Sequence, residues 1–147
     1  MNRVKKKLMG MFIFVFTLTC FYAFAGGAET EVWELQLTGD IKGTLKMKLE
    51  RAQNERENYS ITGKFSGKIH DYEAGLGRLS CKFKGKIEEG VFVASFTGYA
   101  DLAVNVRVKG TMKGTVSRLE GSGSWSLKHS QGSRAGEWMI KKIKASQ

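Results

Sequence analysis

The sequence predicts an all-β protein: an antiparallel up-and-down meander of about seven or eight strands, closed into a small barrel or sandwich and preceded by an N-terminal signal helix. Apolar and polar residues alternate with a period of two through most of the chain, which is the pattern of half-buried strands. The chain has 18 glycines and no proline, so glycine is its main turn and bend former. Closure is favoured because it removes the exposed edges of a glycine-rich sheet.

The first 25 residues predict a signal peptide. Basic residues ending at Lys7 precede an uncharged apolar run from Leu8 to Ala25. The run ends in Ala23-Phe24-Ala25, which matches the small-residue site of the signal peptidase. We therefore expect an exported protein, periplasmic or secreted, with Gly26 as its mature N-terminus.

Two alternatives to cleavage stay open at this N-terminus. The apolar run is just long enough to span a bilayer, so it is compatible with an uncleaved membrane anchor. Cys20 is a candidate for lipidation, although Thr17 and Thr19 depart from the residues that a lipobox requires.

The mature chain, residues 26–147, has the length of a single domain with one core. Loss of the signal removes four basic residues, which lowers the net charge from +10 to +6. Only Cys81 then remains, so an intramolecular disulfide is excluded. Cys81 shares its alternation parity with Leu79 and Phe83, and we expect it to be a buried, inert thiol.

The predicted strands follow one another with short polar breaks. The segment Arg51–Asn58 is a polar loop that is long enough for one helical turn. In chain order the strands are 35–49, 59–69, 79–88, 91–100, 102–116, 119–127 and 136–143.

A repeated cadence places one apolar residue between two glycines spaced by four, as in LTGDIKGTL (37–45), ITGKFSGKI (61–69) and VKGTMKGTV (108–116). An apolar residue such as Phe65 or Met112 is unsuited to a hairpin tip. We therefore place these glycines within strands, on the inward face, where a missing side chain lets a strand bend sharply. The alternative is that these glycines lie in ordinary turns between strands, because the first strand would otherwise be unusually long.

The inward positions carry large apolar side chains. A barrel of eight strands holds either a packed core or one small ligand. We favour packing, with a small apolar ligand inside the barrel as the alternative. The predicted interior residues are Phe65, Phe83, Phe92, Phe96, Met112 and Trp125.

The outward positions carry many basic side chains, and these predict the contact surface. A basic wall attracts anionic polysaccharide or a membrane surface through its field, whereas specific nucleic-acid recognition is not expected. The alternative is that these lysines only keep the sheet soluble and discourage edge pairing. The candidate polyanion-binding residues are Lys64, Lys68, Lys82, Lys84, Lys86, Arg107, Lys109 and Lys113, with Lys42, Lys46 and Lys48 on the preceding strand.

Catalytic and metal-binding patterns are weak. His70 and His129 have no second histidine at metal-ligand spacing. The loop at His70, Asp71 and Glu73 brings an imidazole and two carboxylates together, the groups that a metal enzyme or hydrolase uses. Loops between strands are ordinarily polar, so we interpret this one as a solvated loop. No cofactor, metal or enzymatic activity is predicted.

In outline, the meander and its glycine- and tryptophan-containing last strands resemble lipocalin and avidin-like barrels. No motif of either family is present, so the resemblance assigns no functional residue. The sequence predicts an exported, non-enzymatic β-barrel that binds through its basic outer face, with a structural role in the cell envelope as a further alternative.

Overall fold

The computed structural model describes residues 30–53 and 58–145. These residues form eight antiparallel strands in one closed barrel, each strand hydrogen-bonded to its neighbours in sequence and β1 to β8. The predicted all-β barrel is therefore confirmed. The strands are β1 (Thr30–Gly39), β2 (Ile41–Gln53), β3 (Tyr59–Asp71), β4 (Gly75–Glu88), β5 (Val91–Asp101), β6 (Asn105–Val116), β7 (Glu120–His129) and β8 (Gly132–Ala145).

Two mouths bound the barrel. The near mouth holds the start of β1, the end of β8 and the turns at 89–90 and 117–119. The far mouth holds the other hairpin turns, at Asp40, 72–74, 102–104 and 130–131. The predicted signal peptide and its cleavage site lie outside the described residues, as do positions 54–57 of the predicted polar loop. Its first residues, Arg51 to Gln53, continue β2.

The alternation of the sequence becomes the two faces of the barrel wall. Inward side chains of all eight strands form one buried cluster, and the intervening side chains face solvent. Cys81 belongs to this cluster as a free thiol. The expectation of a buried cysteine is confirmed.

The glycines within β3 and β6 lie on the inward face, as predicted. A Cβ atom built on Gly63 would collide with the carbonyl oxygen of Lys48 and lie 2.6 Å from Cζ of Phe83. One on Gly110 would lie 2.5 Å from Cζ of Phe96. At each position, a neighbouring strand and an aromatic ring occupy the space that a side chain would fill. Packing therefore requires glycine.

The prediction of one long first strand was wrong. Gly39 has a φ of +102° and, with Asp40, turns the chain between β1 and β2. The alternation continues through this tight turn, because Leu37 before it and Ile41 after it are both buried. The start of the strand expected at 102 is also corrected, since β6 begins at Asn105 and Val104 is exposed in the preceding turn.

Candidate functional site

The basic residues of β2, β3 and β4 form a continuous surface, which we call the basic face: Lys46, Lys48, Lys64, Lys68, Lys82, Lys84 and Lys86. All seven occupy outward, exposed positions. Lys64 lies directly between two lysines, because it pairs with Lys48 on β2 and with Lys82 on β4. Lys68 pairs with one further basic residue, Arg78 on β4. The register therefore concentrates like charges across three neighbouring strands.

Lys48, Lys64 and Lys82 form the central row of the basic face. Among the described residues, no carboxylate lies within 4.0 Å of the ammonium group of Lys48, Lys64 or Lys82. Within residues 30–53 and 58–145, the one ion pair of the basic face joins Lys86 to Glu88 at 3.2 Å, and both side chains are more than half exposed. Like charges directly opposite each other destabilise a sheet. The row thus carries a repulsion that an anionic partner would relieve.

The predicted residues of β6 form a second basic group, separated from the first by β5. Arg107, Lys109 and Lys113 are outward and exposed. The facing residues of β5 are uncharged at Lys109 and Arg107, which pair with Thr97 and Tyr99. The basic wall is therefore divided into two groups.

The sequence analysis missed Lys128 on β7. It is exposed and pairs with Lys109, which extends the second basic group onto a further strand. The alternation that places Trp125 and Leu127 inside predicts an outward position at 128, so the signal was present. Lys128 lay just beyond the segment assigned to the seventh strand.

All six predicted interior residues are buried. The ring of Phe65 contacts those of Phe83 and Phe96, with centroids 6.0 Å and 5.4 Å apart. The ring of Phe92 lies 5.2 Å from that of Trp138. A small apolar ligand inside the barrel would have to displace these mutual contacts.

The loop at 70–73 holds a buried ion pair, and its interpretation as solvated was wrong for Asp71. Nε of Arg134 donates to Oδ2 of Asp71 at 3.0 Å, and the two side chains are 3% and 0% exposed. Oδ1 of Asp71 accepts from the backbone N–H groups of Glu73 and Ala74 at 2.9 Å and 3.1 Å. The carboxylate therefore joins its own hairpin turn to β8 at the far mouth.

The electrostatics of this pair favour its charged form. Burial raises the pKa of Asp71, but the hydrogen bonds from Arg134 and from the backbone of Ala74 and Glu73 lower it more, so the net shift is downward. The pKa of Arg134 is raised, chiefly by its hydrogen bond to Asp71. The guanidinium also lies over the ring of Tyr72, 4.8 Å from the centroid. Asp71 is thus committed to a structural contact.

The near mouth has a similar arrangement. Nε of Arg51 donates to Glu31 at 2.6 Å, and its guanidinium lies 5.1 Å from the ring centroid of Tyr59. Nζ of Lys142 also approaches Glu31, at 2.9 Å. Each mouth is therefore covered by an arginine that pairs with a carboxylate and stacks on a tyrosine.

The other residues of the weak catalytic pattern, His70 and Glu73, are exposed. His70 is exposed on the outside of β3, and Glu73 is exposed where it meets Arg134. Within the part of the chain that the structure describes, no group of three or more histidine, cysteine, aspartate or glutamate side chains is placed to hold a metal ion. In the same residues, no helix is long and apolar enough to cross a membrane.

Comparison with protein families, with curated proteins and with solved structures finds no match to this chain.

Proposed function

We propose that this protein is an exported, non-enzymatic binding protein that holds anionic polymers on its basic face. The observation that supports the proposal best is the cross-strand row of Lys48, Lys64 and Lys82, aligned by the register and without a described carboxylate partner. A sheet that needed lysines only for solubility gains nothing from placing like charges opposite each other. A polyanion neutralises several of these charges at once and releases its counterions.

The proposed location follows from the N-terminal pattern of basic residues, apolar run and A-x-A site in residues 1–25. Outside the cytoplasm, the polyanions available to a basic surface include acidic polysaccharides and anionic lipid headgroups. The proposal is one of electrostatic recognition, without sequence-specific or catalytic steps.

The test is a salt titration of binding to heparin. We expect the affinity for heparin to fall steeply with salt, because binding releases the counterions of the polymer. For duplex DNA, each neutralised phosphate contributes about 0.9 to the slope of log K against log salt. A variant in which Lys82, Lys84 and Lys86 are changed to Gln should bind more weakly, with a shallower slope.

A matched control separates the basic face from net charge. Changing Arg118 and Lys141 to Gln removes two charges from exposed positions outside the face, and its matched comparison changes Lys82 and Lys84 to Gln. We expect the Arg118 and Lys141 control to bind nearly as well as the wild type. Equal losses in the two double variants would assign the binding to net charge, and absence of binding at low salt would refute the proposal.

A further inference from the structure

A shallow groove crosses the outside of the barrel from β3 to β8. Its two halves share Ser95 on β5 and Thr111 on β6. The groove follows one cross-strand row, since each floor residue is the register partner of the next. The row consists of Thr62, Lys84, Ser95, Thr111, Ser126 and Ala135. With strands about 4.8 Å apart, these five steps span about 24 Å of the curved wall.

The groove lies over inward glycines. Gly85 and Gly110 belong to its lining. A Cβ atom on Gly85 would lie 2.5 Å from Cα of Ala94, and one on Gly110 would lie 2.8 Å from Cβ of Leu127. The groove therefore lies over positions without an inward side chain, where a strand can bend towards its neighbour. Apart from Lys84, the side chains of the floor row are small, because they belong to serine, threonine and alanine.

Lysines border the groove on both sides. On one side, a flanking row lies two residues along each strand from the floor row. This flanking row contains Lys82, Lys109 and Lys128. On the other side, Lys86 and Lys113 both pair with Val93. The groove joins the two basic groups across β5, which carries no basic residue of its own. An extended anionic chain lying in it would meet ammonium groups along both edges.

We propose that this groove binds a linear acidic polysaccharide, an inference that rests on the proposed function and specifies its ligand. Serine and threonine hydroxyls both donate and accept hydrogen bonds, which suits the hydroxyls of sugar rings. Thr111 and Ser126 present two such groups with oxygens 3.4 Å apart. The lysines on either edge supply the partners for carboxylate or sulfate groups.

The shape and chemistry of the groove favour a polysaccharide over the other polyanions. Single-stranded nucleic acid is typically held by aromatic side chains that stack on its bases, and the floor row contains none. A bilayer presents a broad surface of headgroups, which contacts the ridges of a convex wall and leaves a narrow groove unused. A single polymer chain is the occupant whose line of anionic groups matches the lysines along the two edges.

The test fills the groove without changing its charge. Ser95→Trp and Ser126→Trp each place a large side chain on the floor, whereas Ser122→Trp places the same side chain on β7 outside the floor row. All three serines are outward and exposed. Binding of heparin and of alginate is measured by calorimetry, with circular dichroism to confirm that each variant is folded. We expect the two groove variants to bind each polysaccharide about ten-fold more weakly, the loss of one or two hydrogen bonds, and Ser122→Trp to match the wild type.

Further arms distinguish this inference from the proposed function. If the triple lysine variant loses heparin binding but both groove variants keep it, the basic face acts and the groove does not. If the wild type binds single-stranded DNA or phosphatidylglycerol vesicles but neither polysaccharide, the ligand class is wrong while polyanion binding stands. If no polyanion binds at low salt, both ideas fail.

Discussion

Asp71 and Arg134 are withdrawn from solvent and hydrogen-bonded to each other at the far mouth, although they lie on strands that are not neighbours in the barrel. The turn between β1 and β2 completes the contact. The backbone oxygen of Asp40 accepts from Tyr72, and its carboxylate accepts from the backbone of Ala135. The ion pair and the hydrogen bonds of Asp40 together tie the β1–β2 and β3–β4 turns to the start of β8.

Breaking this pair should be costly. We expect Asp71→Asn to destabilise the fold by about 3 to 5 kcal/mol, because it leaves the buried guanidinium of Arg134 without its main partner. Urea denaturation measures the change. Glu73→Gln is the control, since Glu73 is 58% exposed and exposed pairs contribute at most about 1 kcal/mol. Equal effects of the two substitutions would contradict the assigned role of Asp71.

The same pair predicts a dependence of stability on pH. The folded state lowers the pKa of Asp71, so its contribution is complete above the unfolded pKa of about 3.9 and is lost as the pH falls through the folded pKa. Melting temperatures measured from neutral pH into the acid range should fall for the wild type. The difference between the wild type and Asp71→Asn should narrow below about pH 4. Parallel curves would show that Asp71 does not titrate with folding.

Cys81 should be unreactive in the folded protein. Burial raises the pKa of its thiol to about 12, so the thiolate that reacts with disulfide reagents is scarce at neutral pH. In the mature chain, residues 26–147, we expect no labelling by a chromogenic disulfide reagent until urea unfolds the protein. Ser80→Cys places a thiol on the exposed side of the same strand and serves as a positive control in a Cys81→Ala background. Rapid labelling of Cys81 in native buffer would contradict its burial.

The inward glycines should resist enlargement. Gly63→Val and Gly110→Val are each expected to destabilise the barrel by about 1 to 3 kcal/mol, the range for overpacking a core. The reason is that each new Cβ meets a carbonyl oxygen and an aromatic ring. Thr62→Val, on the outside of β3, provides a nearby valine that does not enter the core. Urea midpoints equal to the wild type for both glycine variants would show that these positions tolerate a side chain.

The sequence predicted the faces of the barrel better than its turns and contacts. Lys64 and Lys82 were correctly placed outside, because alternation depends on local spacing alone. The turn at Asp40 was missed because the apolar pattern runs through it without a break. The ion pair of Asp71 and Arg134 joins residues 63 positions apart, and it forms only when closure brings β3 and β8 to the same mouth. A single sequence contains no local signal for such a pairing.

The groove was also beyond the sequence analysis, for a related reason. Its floor residues, such as Ser95 and Thr111, are aligned by the register between strands. The spacing within each strand does not fix that register, since it depends on the lengths of the hairpin turns. Composition predicted that the surface is basic, and the arrangement of that charge required the fold.

The ladder between β1 and β8 affects the rate at which this chain folds. Every other ladder joins consecutive strands, whereas Leu35 pairs with Ile140, over a hundred residues away. Contacts so distant along the chain slow folding, because loop entropy is lost before the contact forms. Until the β1–β8 ladder forms, the meander is an open sheet with two unpaired edges, which are sites for self-association. A circular permutant that joins the end of β8 to the start of β1 would make this seam a local hairpin and move the slow step to wherever the chain is reopened.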